Sequence, residues 1–184
     1  ADLAYVNDRL RELDIRPESI YSSDLERARQ TAMYFAKCHG IHIVHDSSLL
    51  NEVNYGKLYK KSKKWVARHI PEHKVDPDYV YPEGESFRRM QTRSVSFLTS
   101  LAGHPGRTVL LVVHAGVIRG FVSHFLGLDY AAQLKRRLSH RYIGDLRFRG
   151  HDCIGYNELG KPSGFVRDGV VELPCEIRTV ASGY

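Results

Sequence analysis

The sequence predicts an α/β domain of three layers, α/β/α, on a mostly parallel sheet, and three observations carry that prediction. Thr108 to Val113 is an unbroken run of apolar or β-branched residues, which reads as a strand buried on both faces because a strand with one wet face would alternate. His114 ends the run, Ala115-Gly116 allows a tight turn, and Val117 to Leu128 follows with helical spacing. The same order of strand, polar turn and helix recurs between Ser19 and His39. The 184 residues fit one domain, 1–184, able to bury about 70% of the surface that its unfolded chain exposes.

Taken in order, Leu3, Val6, Leu10 and Leu13 recur at helical spacing among charged residues, so an amphipathic helix occupies the first residues and is closed by Arg16-Pro17. Ser19 to Ser22 reads as a short strand. Asp24 to His39 reads as a helix that buries Leu25, Ala28, Ala32 and Phe35, with an N-cap offered by Ser22, Ser23 or Asp24 and a stop at Gly40. Ile41 to Val44 is a further strand, Leu49 to Lys60 a loop, and Pro71 to Pro82 a proline- and aspartate-rich loop. Gly84-Glu85-Ser86 opens a helix that runs to about Leu101 with Phe87, Met90, Val95 and Leu98 inward. Ala131 to Leu138 is expected as a helix, and Tyr142 to Arg149 pairs antiparallel with Cys153 to Tyr156 through Gly150. Val170 to Leu173 is expected at a sheet edge, and 170–184 as a partly loose tail.

A net charge of +6 favours anions, whether nucleic acid, membrane headgroups or small phosphorylated substrates. No apolar run approaches the ~20 residues of a membrane span. Cys38, Cys153 and Cys175 have no metal spacing, and their odd count argues against a disulfide framework, so a cytoplasmic location is expected. The basic run Lys57 to Arg68 reads as a solvated helix face, because few aromatics accompany it for stacking on bases. His42 and His45 would point to opposite faces of a strand, and Pro71 breaks the helix that a His69/His73 pair requires, so no metal site is expected. Gly155 to Lys161 approaches a phosphate-loop pattern, but Pro162 stands where a hydroxyl residue belongs and no helix follows.

Three residues stand out for chemistry. His114 lies at the carboxyl end of a strand, where open α/β sheets seat ligands and the next helix start favours an anion. Position alone serves a capping or hydrogen-bonded histidine equally well. Arg27 falls in a first helical turn, where the helix dipole disfavours a cation, so it either escapes to solvent or meets an anion. Glu52 stands among apolar and aromatic neighbours, and is otherwise a surface carboxylate.

YSSDLERARQTA (Tyr21 to Ala32), NEVNYG (Asn51 to Gly56), PEGES (Pro82 to Ser86) and VVHAGVIRG (Val112 to Gly120) resemble, in order and spacing, the histidine phosphatase superfamily, the phosphoglycerate mutase-like proteins. In that resemblance Arg27 corresponds to the family's second phosphate-binding arginine, Glu52 to its usual acid/base carboxylate and His114 to its second histidine. It implies a phosphoglycerate mutase-like fold, catalytic roles for Glu52 and His114, and phosphate contacts from Arg27, Ser23, His114 and Ala115. It also implies no cofactor, no metal, a small phosphorylated substrate, and no nucleic-acid or membrane partner; self-association stays open.

One part of the family pattern is absent. The nucleophile of the family stands in an Arg-His-Gly motif after a first strand, and no such triplet occurs in this sequence. The chain therefore reads as an N-terminally incomplete copy with the first strand missing. The complete protein is expected to be a phosphomonoester hydrolase acting through a phosphohistidine, with mutase-type transfer or a non-catalytic phosphate-binding or interaction module as alternatives. Hydrolysis is preferred because only Lys57 to Tyr81 separates two of the motifs, where the resemblance implies a longer insertion in mutases. The missing strand is expected in the sheet centre, next to the strands ending at Ser22 and Val113. Without it the chain is expected to be hydrolytically inactive, and either poorly folded, self-associated through open edges, or collapsed with those two strands paired directly.

Overall fold

A computed structural model describes residues 2–103, 106–159, 164–166 and 175–182. The regular elements run α1 (Asp2–Glu12), β1 (Ser19–Ser23), α2 (Glu26–His39), β2 (Val44–Ser47), α3 (Lys63–His69), α4 (Phe87–Ala102), β3 (Thr108–Val113), α5 (Ala115–Leu126), α6 (Tyr130–Lys135), β4 (Ile143–Arg149), β5 (Asp152–Glu158), β6 (Gly164–Val166) and β7 (Cys175–Ala181). Within β3, Leu110 and Val112 face a core formed with α1 and α2, while Val109, Leu111 and Val113 face a second core formed with α4, α5 and α6. Burial on both faces explains the unbroken apolar run and produces the three layers.

The sheet order is β2-β1-β3-β7-β4-β5-β6. β2, β1, β3 and β7 are mutually parallel, and β4 to β6 extend the sheet in antiparallel fashion. β1 and β3 pair directly, with Ser22 opposite Val112, so no strand stands between them. The other edge of β3 is covered by β7, from Thr108 opposite Glu176 to Val113 opposite Ala181. Within the tail expected to be partly loose, residues 175–182 are held in or directly beside the sheet; the edge strand expected at Val170 to Leu173 lies outside the described residues. Ile177 and Ala181 join the α4/α5 core and Val180 joins the α1/α2 core, so β7 contributes apolar side chains to both faces, alongside the buried Arg178 and Thr179.

Four boundaries differ from the sequence reading, and those of α2 and β2 have a local reason. α2 starts at Glu26 with Leu25, which has no capping group, as its N-cap, while the Ser23 hydroxyl meets His114 and accepts the Leu25 N–H at 3.4 Å. β2 begins at Val44, since the Ile41 N–H is still bonded to the Ala36 carbonyl beyond the left-handed Gly40. α5 begins directly after His114, which supplies its N-cap backbone, and α6 ends at Lys135.

β7 is tied to β4 by a buried ion pair. Asp145 lies opposite Arg178, with Nη1 2.9 Å from Oδ1 and side-chain exposures of 6% for the arginine and 2% for the aspartate. Burial pushes the Asp145 carboxyl up while Arg178 and Arg147 pull it down. Removing one partner of such a pair strands a charge in the core. Arg178→Met should therefore lower unfolding stability by about 3–5 kcal/mol, and Asp145→Leu added to it should recover much of the loss. Urea titration checks this, and an unchanged midpoint in Arg178→Met would show that the pair does not hold β7.

Candidate active site

The register of three parallel strands creates the site. β3 delivers His114 one residue past its last ladder pair, β1 ends alongside at Ser23, and β7 continues to Ser182, whose N–H donates to the Val113 carbonyl at 2.7 Å. His114 is 3% exposed, and each ring nitrogen is engaged. Nε2 lies 2.7 Å from Ser23 Oγ, while Nδ1 lies 3.3 Å from Arg27 Nη2 and 3.1 Å from Ser182 Oγ. Burial, with the charges of Arg27 and Arg93 added, brings the His114 pKa down to about 3, so the imidazole is neutral at pH 7.

Arg27 is the second residue of α2, and it resolves its conflict with the helix dipole by reaching back over the site. Among the described residues no carboxylate pairs with it, which leaves its guanidinium charge available to an anion. Ala115 opens α5, where the first backbone N–H groups have no helical acceptor. The next N–H, that of Gly116, donates to Glu52 Oε2 at 3.0 Å, so the carboxylate of this chain holds the helix start. A Cβ at position 116 would run into the same carboxylate, and glycine is what allows Glu52 this close to α5.

Glu52 is fixed by its loop as well as by α5. Oε1 accepts the Val53 N–H at 3.0 Å. Arg93, on α4, donates to the carbonyls of Leu49 at 2.7 Å and Asn51 at 2.8 Å and pairs with Glu85 at 2.7 Å. Glu85 in turn accepts the Asn54 N–H at 3.0 Å. Gly56 closes this brace at φ 50°, pressed against the Pro82 carbonyl where no side chain would fit. The NEVNYG and PEGES stretches thus form two backbone-packed loops clasped by one arginine. The sequence reading missed Arg93 and Ser182. A cation between the inward-facing Met90 and Val95 was the available signal for Arg93; nothing local marked Ser182.

Arg27, Asn51, Glu52, Glu85 and Arg93 line a cleft of about 540 Å³ together with the apolar or aromatic Leu25, Leu49, Val53, Tyr55 and Tyr59. That volume lies within the range of small-molecule sites. The basic run beyond it has its aromatic surface occupied, since Trp65 stacks on His69 at 4.2 Å and carries Lys61 over its ring. No helix among the described residues is long and apolar enough to cross a membrane.

The neutral, buried His114 makes stability depend on pH. Its folded pKa of about 3 lies below the ordinary value of about 6.5, so between these values the unfolded chain takes up a proton that the folded one refuses. The contribution is complete above pH 6.5 and is lost as pH falls toward 3, by at most about 1.4 kcal/mol per pH unit. His114→Gln should flatten the stability profile between pH 6 and 4 by up to one proton relative to wild type. Superimposable slopes from urea titrations across that range would contradict the assignment.

Comparisons with known proteins bear on this geometry. The sequence model of the histidine phosphatase superfamily (branch 1) matches residues 2–154. A metal-independent phosphoserine phosphatase of Arabidopsis thaliana is 36% identical over 126 residues, covering 65% of this chain and 53% of the relative. The Escherichia coli protein named "Probable phosphoglycerate mutase GpmB" is 36% identical over 150 residues, covering 77% of this chain and 67% of its own length. This chain thus spans little more than half of the plant relative. Among solved structures, mycobacterial glucosyl-3-phosphoglycerate phosphatase Rv2419c in complex with inorganic phosphate superposes with a TM-score of 0.58 at 25% identity, over 72% of this chain and 70% of that one. Bacillus stearothermophilus YhfR shares the fold with a TM-score of 0.68 at 21% identity, over 83% of this chain and 77% of its own. A family match over most of the chain shows that this protein belongs to the histidine phosphatase superfamily, branch 1.

Proposed function

We propose that this site receives the phosphoryl group of a small phosphate monoester, and that the complete protein is a phosphomonoester hydrolase working through a phosphohistidine. The convergence of Arg27, Ser23 and the α5 N-terminus on His114 is the observation that carries the reading. Arg27 supplies a planar cationic fork for the phosphoryl oxygens. Ser23 and the Ala115 end of α5 supply neutral donors, and His114 itself contacts the group once phosphate enters. Glu52 is the acid/base residue.

In the first step a histidine nitrogen attacks phosphorus, the ester P–O bond breaks, and the proton of Glu52 passes to the leaving oxygen. In the second, Glu52 takes a proton from water as the water oxygen attacks phosphorus and the P–N bond breaks. Phosphate is released and the histidine is regenerated. No metal or cofactor enters these steps. The apolar and aromatic residues in the lining of the cleft favour an ester with an apolar alcohol portion. The bacterial relative's name keeps mutase-type transfer as a second reading, against which stands the short Lys57 to Tyr81 connection.

Because residues 1–184 contain no Arg-His-Gly triplet, this chain should bind phosphate without hydrolysing an ester. Calorimetric titration with inorganic phosphate should show binding that Arg27→Ala weakens roughly 10- to 100-fold, the loss of charge-assisted hydrogen bonds. An aryl phosphate should not turn over above background until a segment bearing Arg-His-Gly is supplied in a form that takes the place of β7 beside β3. In that supplemented form Glu52→Gln should slow alkyl phosphates far more than aryl ones, whose leaving groups need less protonation. Full phosphate affinity in Arg27→Ala would remove Arg27 from the site, and equal losses on both esters would remove Glu52 from proton transfer.

A further inference from the structure

We propose that Asn51 is a further ligand-contacting residue of this site, its side-chain NH2 donating to an oxygen of the bound phosphoryl group beside Arg27. Asn51 stands on the loop of Glu52, one residue before it, and its side chain reaches across to the turn between β1 and α2, where Oδ1 accepts the Asp24 N–H at 3.2 Å. Arg27 follows three residues after Asp24. The amide thus bridges the two segments that carry the guanidinium and the carboxylate, and all three side chains line one cleft. A monoester whose phosphoryl group meets Arg27 and whose leaving oxygen meets Glu52 lies alongside it.

The donor inventory fixes which end of the amide is engaged. A backbone N–H needs an acceptor, and of the two ends of a carboxamide only the oxygen is one, so Oδ1 is committed to Asp24. The NH2 group keeps its donors, and among the described residues no acceptor meets it. The main chain of Asn51 is tied as firmly. Its carbonyl accepts from Arg93 Nη2 at 2.8 Å, and its N–H donates to the Ser48 carbonyl at 3.1 Å. With both the backbone and Oδ1 held, the donor is ordered before a ligand arrives, and little freedom is left to lose on binding.

Asn54 offers a contrast within the same loop. It has the same side chain and lines the same cleft, but its Oδ1 accepts the Gly56 N–H at 2.9 Å, so it stays within its own loop and does not cross to α2. Only Asn51 stands next to the cation that draws the anion in. A neutral N–H there adds direction to the attraction that Arg27 supplies, because a hydrogen bond to an anionic oxygen is shorter and stronger than one between neutral groups. The contact to phosphate rests on the phosphate reading given above; the orientation of the amide does not.

Side-chain amide NMR of residues 1–184, titrated with inorganic phosphate, tests the proposal without any assay of turnover. The Asn51 NH2 signals should move together with those of the Arg27 guanidinium, and further than the NH2 signals of Asn54. Asn51→Ala should weaken phosphate binding roughly tenfold, the equivalent of one hydrogen bond to a charged group. Asn51→Asp keeps an acceptor for the Asp24 N–H but sets a carboxylate oxygen where the NH2 stood. It should weaken binding more than Asn54→Asp, which brings the same charge to the cleft lining and keeps its own bond to the Gly56 N–H. Should Asn51→Ala not fold, the wild-type shifts and the two aspartate variants carry the test. Phosphate that moves the Arg27 and His114 signals but leaves the Asn51 NH2 in place would overturn the proposal and leave the site reading standing, as would equal losses in the two aspartate variants. Absence of phosphate binding in wild type would overturn both.

Discussion

His114 leaves the end of β3 almost wholly buried, and a buried imidazole costs stability unless both ring nitrogens find partners. Satisfying that demand constrains three separate elements. β1 must end in register to bring Ser23 to Nε2, α2 must turn so that its second residue reaches back to Nδ1, and β7 must extend one residue past its ladder to bring Ser182. A shift of one residue in either flanking strand would turn its hydroxyl to the opposite face. The Asp145–Arg178 pair between β4 and β7 opposes a shift of β7, because the present register sets the two buried charges opposite one another.

A second network holds Glu52, the proposed acid/base residue, in a fixed place. Glu52 is fastened at both carboxylate oxygens, one to its own loop and one to the start of α5, so the loop and the helix cannot move independently. Arg93 spends its charge on Glu85 and on loop carbonyls. Its charge is consumed in shaping the cleft, whereas that of Arg27 remains available to an anion. Two arginines within one cleft thus have opposite uses, decided by whether a carboxylate already pairs with them.

The parts of this arrangement that were legible in the sequence are those with a local signature. An unbroken apolar run ending in a histidine and a turn could only be a buried strand feeding a helix, and β3, His114 and α5 follow it closely. Arg27 announced itself by standing where the helix dipole opposes it. The place of β7 was not legible, because CEIRTVA carries no motif and its neighbours in the sheet lie far away in sequence. Without β7, Ser182 could not be foreseen, whereas the direct β1–β3 pairing was among the arrangements expected of a chain lacking its first strand. Ser23 looked like an N-cap because its residue type suits one, and only the fold shows that its hydroxyl serves the histidine instead.

The most direct measurement is an amide and side-chain NMR titration of residues 1–184 with inorganic phosphate. The expected result is that the largest shifts fall on the Arg27 guanidinium, the His114 ring and the backbone amides of Ala115 and Gly116, with Ser23 close behind. Shifts confined to the Lys57 to Arg68 surface, or none at these groups at phosphate concentrations that saturate any binding, would contradict a phosphoryl site built around His114.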